Sequence, residues 1–78
     1  MLAIPHVGGS ECVAVLERLG WHRDREARGV ARLSREGCVV RVPEAATLGP
    51  AVLDAILLAT ATDPLEFLRV LATLRPAA

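Results

Sequence analysis

The chain has 78 residues and a formal net charge of zero, because nine basic residues balance nine acidic ones. Its longest uninterrupted apolar stretches, such as residues 55–59, are far too short to cross a bilayer, and the N-terminus lacks the basic and apolar regions of a signal peptide. These features argue against membrane-spanning and secreted proteins, and they predict a cytoplasmic protein with a single domain over residues 1–78.

Hydrophobic residues make up 53% of the chain, which is a large share for so small a domain. A domain of this size buries only roughly 60% of the surface that its unfolded chain exposes. Some apolar side chains should therefore stay at the surface after folding, and a large exposed apolar patch usually marks an interface. The composition favours binding to a protein partner.

The N-terminal part of the chain predicts an irregular lead-in and then a helix. Proline and glycine interrupt residues 1–9. Ser10 is a suitable N-cap, apolar residues follow at helical spacing, and Gly20 provides the stop. We expect the helix over residues 11–19.

Three short strands follow, separated by two glycine-containing turns. Gly29 lies in the first turn, and Gly37 occupies a position of the second turn that requires a positive φ. The third strand has the clearest signal, because its side chains alternate in character until Pro43 ends the ladder. The predicted strands cover residues 21–26, 30–34 and 38–42.

The two cysteines, Cys12 and Cys38, are far apart in the sequence. They fit neither a zinc-binding spacing nor a disulfide framework. Both have apolar neighbours, so we expect both to be buried small hydrophobic residues. No other spacing of ligand-forming residues indicates a metal site, no glycine-rich phosphate loop is present, and we expect no cofactor.

The C-terminal half predicts two helices. The first opens at Pro50, and its core stripe is Val52, Leu53, Ile56 and Leu57. So apolar a helix is covered on more than one side, and the predicted cover is a third helix. That extra helix covers residues 63–75, with Asp63 as its N-cap and Pro64 in its first turn.

The element order α-β-β-β-α-α predicts an α+β fold. We expect a three-stranded antiparallel sheet with the helices on one face, forming a two-layer sandwich. The other face carries Arg32, Ser34 or Arg41, depending on the register, and should be solvated or used for binding.

Several segments resemble the HicA family, also called YcfA-like proteins. They are VLERLGW (residues 15–21), the charged hairpin, the strand VVRVP and the helix pattern L-x-x-I-L, with the lead-in IPHVGGSE and the tail EFLRVL. The resemblance covers about residues 4–72. It implies a fold similar to the double-stranded-RNA-binding domain. It also implies a small ribonuclease that cuts messenger RNA in a type II toxin–antitoxin pair and is silenced by a HicB partner.

The chain departs from that family at the residues that carry the catalytic activity. The family motif is Gly-Ser-His or Gly-Thr-His at the start of the second strand, and the matching residues are Gly29, Val30 and Ala31. RNA cleavage by 2′-hydroxyl attack needs a group that moves protons near neutral pH, which the methyl group of Ala31 cannot do. The family's second histidine corresponds to Ala45, a separate Gly-Thr pair before L-x-x-I-L corresponds to Ala51 and Val52, and Asp54 stands among the usual basic positions. The matching scaffold residues in this half are Val42, Pro43, Leu48, Leu53, Ile56 and Leu57. We therefore expect a relative without the catalytic site.

Other candidate catalysts give weaker signals. His22 and His6 are isolated, and a lone histidine in a strand is more often a surface residue than a catalyst. Cys38 begins a strand after a glycine, but the sequence shows no histidine paired with it, as a thiol nucleophile requires.

Nucleic-acid binding is a further alternative, because residues 21–43 carry six arginines against three acids. The interleaved acids and the presence of only one Trp and one Phe argue against strong binding. The candidate nucleic-acid contacts are Arg23, Arg25, Arg28, Arg32 and Arg41.

The apolar residues of the last two helices are the candidate protein interface: Leu58, Leu65, Phe67, Val70 and Leu74. The competing interpretation is that these helices only cover each other and the sheet. We expect a partner that is a second copy, a HicB-like antitoxin or a larger complex. The leading prediction is a non-catalytic HicA-like interaction module, and the alternative is a HicA-type toxin that cleaves messenger RNA through an unidentified residue.

Overall fold

The computed structural model describes residues 6–24 and 28–75. In this part of the chain three helices accompany a three-stranded antiparallel open sheet, which confirms the α+β class and the element order. The elements are α1 (Gly9–Arg18), β1 (His22–Arg23), β2 (Val30–Arg35), β3 (Cys38–Pro43), α2 (Pro50–Ala59) and α3 (Pro64–Leu74).

The sheet has strand order β1-β2-β3 and one covered face. Ala31 of β2 pairs with Val42 of β3, and both are fully buried beneath the helices. One residue along, Arg32 pairs with Arg41, and both are exposed. Because successive strand residues point to opposite faces, this register leaves the second face open. The predicted open face with Arg32 and Arg41 is thereby confirmed.

Helix α1 begins earlier than the sequence predicts. Ser10 is an exposed residue inside the helix, and Gly8 takes the N-cap position. The cause is a close approach between the chain at Gly9 and the loop after β3. The Gly9 N–H donates to the Ala45 carbonyl at 2.9 Å, and a Cβ on Gly9 would collide with the Pro43 carbonyl oxygen.

The C-termini of α1 and α2 are both closed by Schellman motifs. Gly20 follows α1 with φ of 100°, as its predicted role as the stop requires. After α2 the equivalent residue is Ala61, with φ of 51°, and the Thr62 N–H donates to the Leu57 carbonyl at 2.9 Å. An alanine in the left-handed region carries strain that glycine avoids.

Helix α3 does not cover α2 in the way that the sequence predicts. Helix α2 packs on β3, whereas α3 packs mainly on α1. Leu53, Ile56 and Leu57 form the buried edge of α2, but Val52 is 41% exposed. Val52 lies about 100° around the helix from Leu53, so it falls beside the edge that faces the sheet. The expectation that Val52 belongs to the core stripe is wrong.

Both ends of α3 are held by polar contacts. Asp63 caps the start, as predicted, by accepting a hydrogen bond from the Leu65 N–H at 2.8 Å. At the other end Arg75 donates to Glu11 (Nε to Oε2, 2.8 Å) and to the His6 carbonyl (2.7 Å). The hydrogen bonds from Arg75 are the main cause that lowers the pKa of Glu11 below its ordinary value of 4.5. This pair ties the end of α3 to the start of α1.

Candidate functional site

The position that matches the family's catalytic histidine lies in the core. Ala31 is fully buried on the helix-facing side of β2, while Val30 is half-buried beside it. Gly29 has φ of 68°, so the glycine that survives from the motif serves the turn. A catalytic group has to reach its substrate. A histidine introduced at position 31 would lie between the sheet and the helices, out of reach of RNA.

The two histidines lie at the surface. His22 is exposed on the open face of the sheet, opposite Ser34, and His6 is exposed before α1. Within residues 6–24 and 28–75, neither imidazole forms a hydrogen bond or ion pair with another side chain. Ala45, at the family's second histidine position, is exposed in the loop after β3. The structure thus brings no acid–base pair together at these positions.

The cysteines differ from each other, contrary to the expectation that both are buried. Cys12 is fully buried, and desolvation raises the pKa of its thiol to about 12. Cys38 is exposed, and it closes the hairpin opposite the exposed Arg35 at the end of the β2–β3 ladder. The pocket beside Cys38 also contains Trp21 and Arg35 but no histidine, so it does not supply the base of a thiol nucleophile.

The described residues contain no group of three or more histidine, cysteine or carboxylate side chains placed to hold a metal ion. No helix in the described ranges combines the length and apolar character needed to span a membrane. The indole N–H of Trp21 is buried, and no described residue accepts a hydrogen bond from it.

The predicted nucleic-acid contacts do not form one surface. Arg32 and Arg41 lie side by side on the open face of the sheet, and Nη1 of Arg32 is 3.5 Å from Oδ2 of Asp24. Arg23 alternates to the other side of β1, where its Nη2 lies 3.4 Å from Oε2 of Glu44. The basic surface on this face therefore consists of Arg32 and Arg41.

That set contains two further arginines. Arg28 is exposed in the turn that precedes β2. Arg25 lies outside the described residues. The predicted end of the first strand at residues 24–26 also falls partly outside them, and β1 as described contains only two residues.

The candidate protein interface separates into exposed and buried residues. Leu58 is 84% exposed and Leu65 is 54% exposed, as the prediction requires. Val70 and Leu74 are half-buried against the core. Phe67 is fully buried, so its placement in an exposed stripe is wrong. Phe67 lies on the side of α3 that packs into the core. Leu65 comes two residues earlier, which places it about 200° away around the helix and therefore on the opposite side.

The exposed side of α2 is an apolar surface that the described part of the chain leaves uncovered. Ala51, Ala55 and Leu58 are all exposed and lie about 180° from the buried edge of the helix. We call this surface the α2 face, with Val52 and Asp54 on its flanks. Sequence reasoning missed the exposure of Val52, although its angular distance from Leu53 could have indicated it.

A shallow groove of about 640 Å³ continues the α2 face toward the start of α3. Its lining is mainly apolar, with Leu57 and Leu58 from α2 and Pro64 from α3. Asp54 and Asp63 add carboxylates to it. The other lining residues are Ala61 and Thr62.

Two comparisons with known proteins bear on this description. The chain matches no protein-family model, and it matches no curated protein.

Proposed function

We propose that this chain is a non-catalytic protein-interaction module with a HicA-like fold, and that its α2 face binds the partner. The observation that carries this proposal is the 84% exposure of Leu58 on a helix whose outer side has no cover. An isolated exposed leucine would be ordinary, but here exposed alanines, Val52 and an apolar groove surround it.

The energetics favour burial of this surface by a partner. Complete burial of a leucine side chain stabilises by about 1.5–3 kcal/mol, and most of that remains available at Leu58. Val52 adds partly exposed area on the same helix. Association opposes this with lost translational freedom and side-chain ordering, so the surface supports modest affinity by itself.

The family resemblance contributes in a specific way. The residues that match the family's hydrophobic pattern in the second half of the chain, Val42, Leu48, Leu53, Ile56 and Leu57, are all buried. The residues that replace the family's histidine, Gly-Thr pair and basic positions there, Ala45, Ala51, Val52 and Asp54, are all exposed. This pattern supports a HicA-like scaffold that is retained while its surface chemistry has changed.

The experiment is capture of partners from the source cells with tagged protein, followed by mass spectrometry. We expect a protein that is retained by the wild type and lost with Leu58→Glu. Ala72→Glu is the matched control, because it places the same charge at an exposed helical position on α3. A captured protein that binds both variants equally contradicts the assignment of the α2 face.

RNA cleavage by the purified protein is the parallel assay, and we expect none. Cleavage that His22→Ala abolishes would establish the ribonuclease alternative instead. Ala31→His is not a suitable gain-of-function control, because this position is fully buried and the larger polar side chain should destabilise the fold.

A further inference from the structure

The open face of the sheet carries an unbalanced positive charge. Arg32 and Arg41 stand directly opposite each other, an arrangement in which like charges destabilise a sheet. Asp24 lies near Arg32, but among residues 6–24 and 28–75 no carboxylate forms an ion pair with Arg41. The neighbouring Val39 is 43% exposed on the same face. The surface is thus part apolar and part basic, and an acidic apolar surface would complement it.

The α2 face has the opposite character. Residues 45–68 contain three acidic residues and no basic or histidine residue. Asp54 and Asp63 line the groove beside Leu58, and Glu66 is exposed in the first turn of α3. The Asp63 carboxylate caps α3 by accepting a hydrogen bond from the Leu65 N–H. One surface of the protein is therefore apolar and acidic, and another is apolar and basic.

These two surfaces point in opposite directions. The buried edge of α2, with Leu53 and Ile56, rests on the covered side of the sheet, so the α2 face points away from the sheet. Arg32 and Arg41 project from the other side of the sheet. A two-fold dimer through either surface would place acid against acid or arginine against arginine. Only a head-to-tail arrangement places the acidic surface against the basic one.

We propose that the partner of the α2 face is a second copy of this chain, whose open sheet face receives it. This inference rests on the proposed function and names the partner of the same surface. Head-to-tail contacts leave one free surface at each end, so the assembly grows with concentration instead of stopping at a dimer. A standard interface uses roughly 800 Å² of each partner. That area is a substantial part of the 5258 Å² surface of this chain. Because the contact joins opposite charges at the surface, association should be weak and sensitive to salt.

The test uses two variants that each disable one surface. Leu58→Arg places a positive charge in the α2 face, where it would repel Arg32 and Arg41 of the second copy, and leaves the sheet face intact. Arg41→Glu removes the basic excess and leaves the α2 face intact. Both positions are exposed, and the carboxylate introduced at position 41 faces Arg32, so the fold should be kept. Circular dichroism and thermal unfolding confirm that both variants are folded.

Sedimentation velocity at low and high salt measures the assembly. The wild type should exceed its monomer mass of 8.3 kDa at low salt, increasingly with concentration, and return toward it at high salt. Each variant alone should remain monomeric. An equimolar mixture of the two should form a complex of twice the monomer mass, because only one functional contact remains for each pair.

Three results would overturn the proposal. A wild type that is monomeric up to about millimolar concentration at low salt excludes self-association of useful strength, and the capture experiment with Leu58→Glu still decides the proposed function. A discrete wild-type dimer with no complex in the mixture assigns a two-fold interface instead. Binding of a labelled RNA oligonucleotide that Arg41→Glu abolishes, without self-association, assigns the sheet face to nucleic acid.

Discussion

Gly9, at the start of α1, is in close contact with the loop after β3, and Gly9→Ala tests this packing. A Cβ at this position would collide with the Pro43 carbonyl oxygen and lie 2.9 Å from Glu44 Cα, where ordinary contacts begin at 3.4 Å. The atoms it meets are backbone atoms, which cannot rotate away as a side chain does. The loop or the start of α1 must move.

The cost of that movement follows from its parts. Overpacking in a tight site costs about 1–3 kcal/mol. The Gly9 N–H to Ala45 carbonyl bond, 2.9 Å in the native fold, would weaken, and a hydrogen bond contributes about 1 kcal/mol. Alanine regains roughly 0.5 kcal/mol through its helix propensity. We expect Gly9→Ala to lower the free energy of unfolding by about 2–3 kcal/mol.

Urea unfolding followed by tryptophan fluorescence measures this change, because Trp21 is the only tryptophan and is 5% exposed in the native state. Gly49→Ala is the matched control. No atom lies within 4 Å of a Cβ built there, and its φ of −66° suits alanine, so its effect should be below about 0.5 kcal/mol. If Gly9→Ala is as stable as the control, the packing described between α1 and the loop is wrong.

Three further predictions concern the cysteines, the Glu11 ion pair and the strained turn. In the native protein a thiol reagent should label Cys38 rapidly and Cys12 only on unfolding, so Cys38→Ser should abolish the fast phase; rapid labelling of both thiols contradicts the burial of Cys12. Because the folded-state pKa of Glu11 lies below 4.5, its pair with Arg75 stabilises the fold above that pH and loses this effect as the pH falls through the lowered value. Glu11→Gln should therefore flatten the loss of stability below pH 4.5 in urea unfolding, and an unchanged pH dependence would rule out this linkage. Ala61→Gly should raise the free energy of unfolding by about 0.5–1 kcal/mol, because glycine relieves the strain of the positive φ. A free energy of unfolding below that of the wild type would show that Ala61 is unstrained.

Local signals in the sequence were sufficient for most of the secondary structure. The helix start at Asp63 and Pro64 was correctly predicted because capping chemistry acts within one turn. The β2–β3 hairpin was likewise predictable, since Gly37 supplies a positive φ of 83° at the turn. Alternation along the third strand correctly separated Val40 and Val42 from the open face.

The errors arise where distant parts of the chain meet. Nothing local to Gly9 reveals the loop that excludes a side chain there, so the start of α1 was misplaced. The apolar composition of α2 suggested a covering helix, but α3 packs mainly on α1. Phe67 and Leu65 are both apolar, and only the packing direction of α3 decides that the first is buried and the second exposed. Cys38 was misjudged because alternation along a strand does not show where the helices stop covering it.

The candidate site was predictable only in part for the same reason. The resemblance predicts that Ala31 stands at the histidine position of HicA proteins, but only the strand register shows that this position faces the core. Leu58 was correctly included in a candidate interface, whereas the groove beside it depends on the packing of both C-terminal helices. The opposite charges of the two surfaces are visible in the sequence, and their opposite directions require the fold.

The most direct test of the central claim is photocrosslinking in the source cells with p-benzoyl-phenylalanine at position 58, compared with the same replacement at position 72. Both positions are exposed on helices, but only Leu58 lies on the α2 face. We predict a covalent protein adduct, either to a second copy or to another polypeptide, from position 58 and none from position 72. Protein adducts of equal yield from both positions, or an adduct to RNA alone, would contradict the claim that this chain acts through protein contacts made by the α2 face.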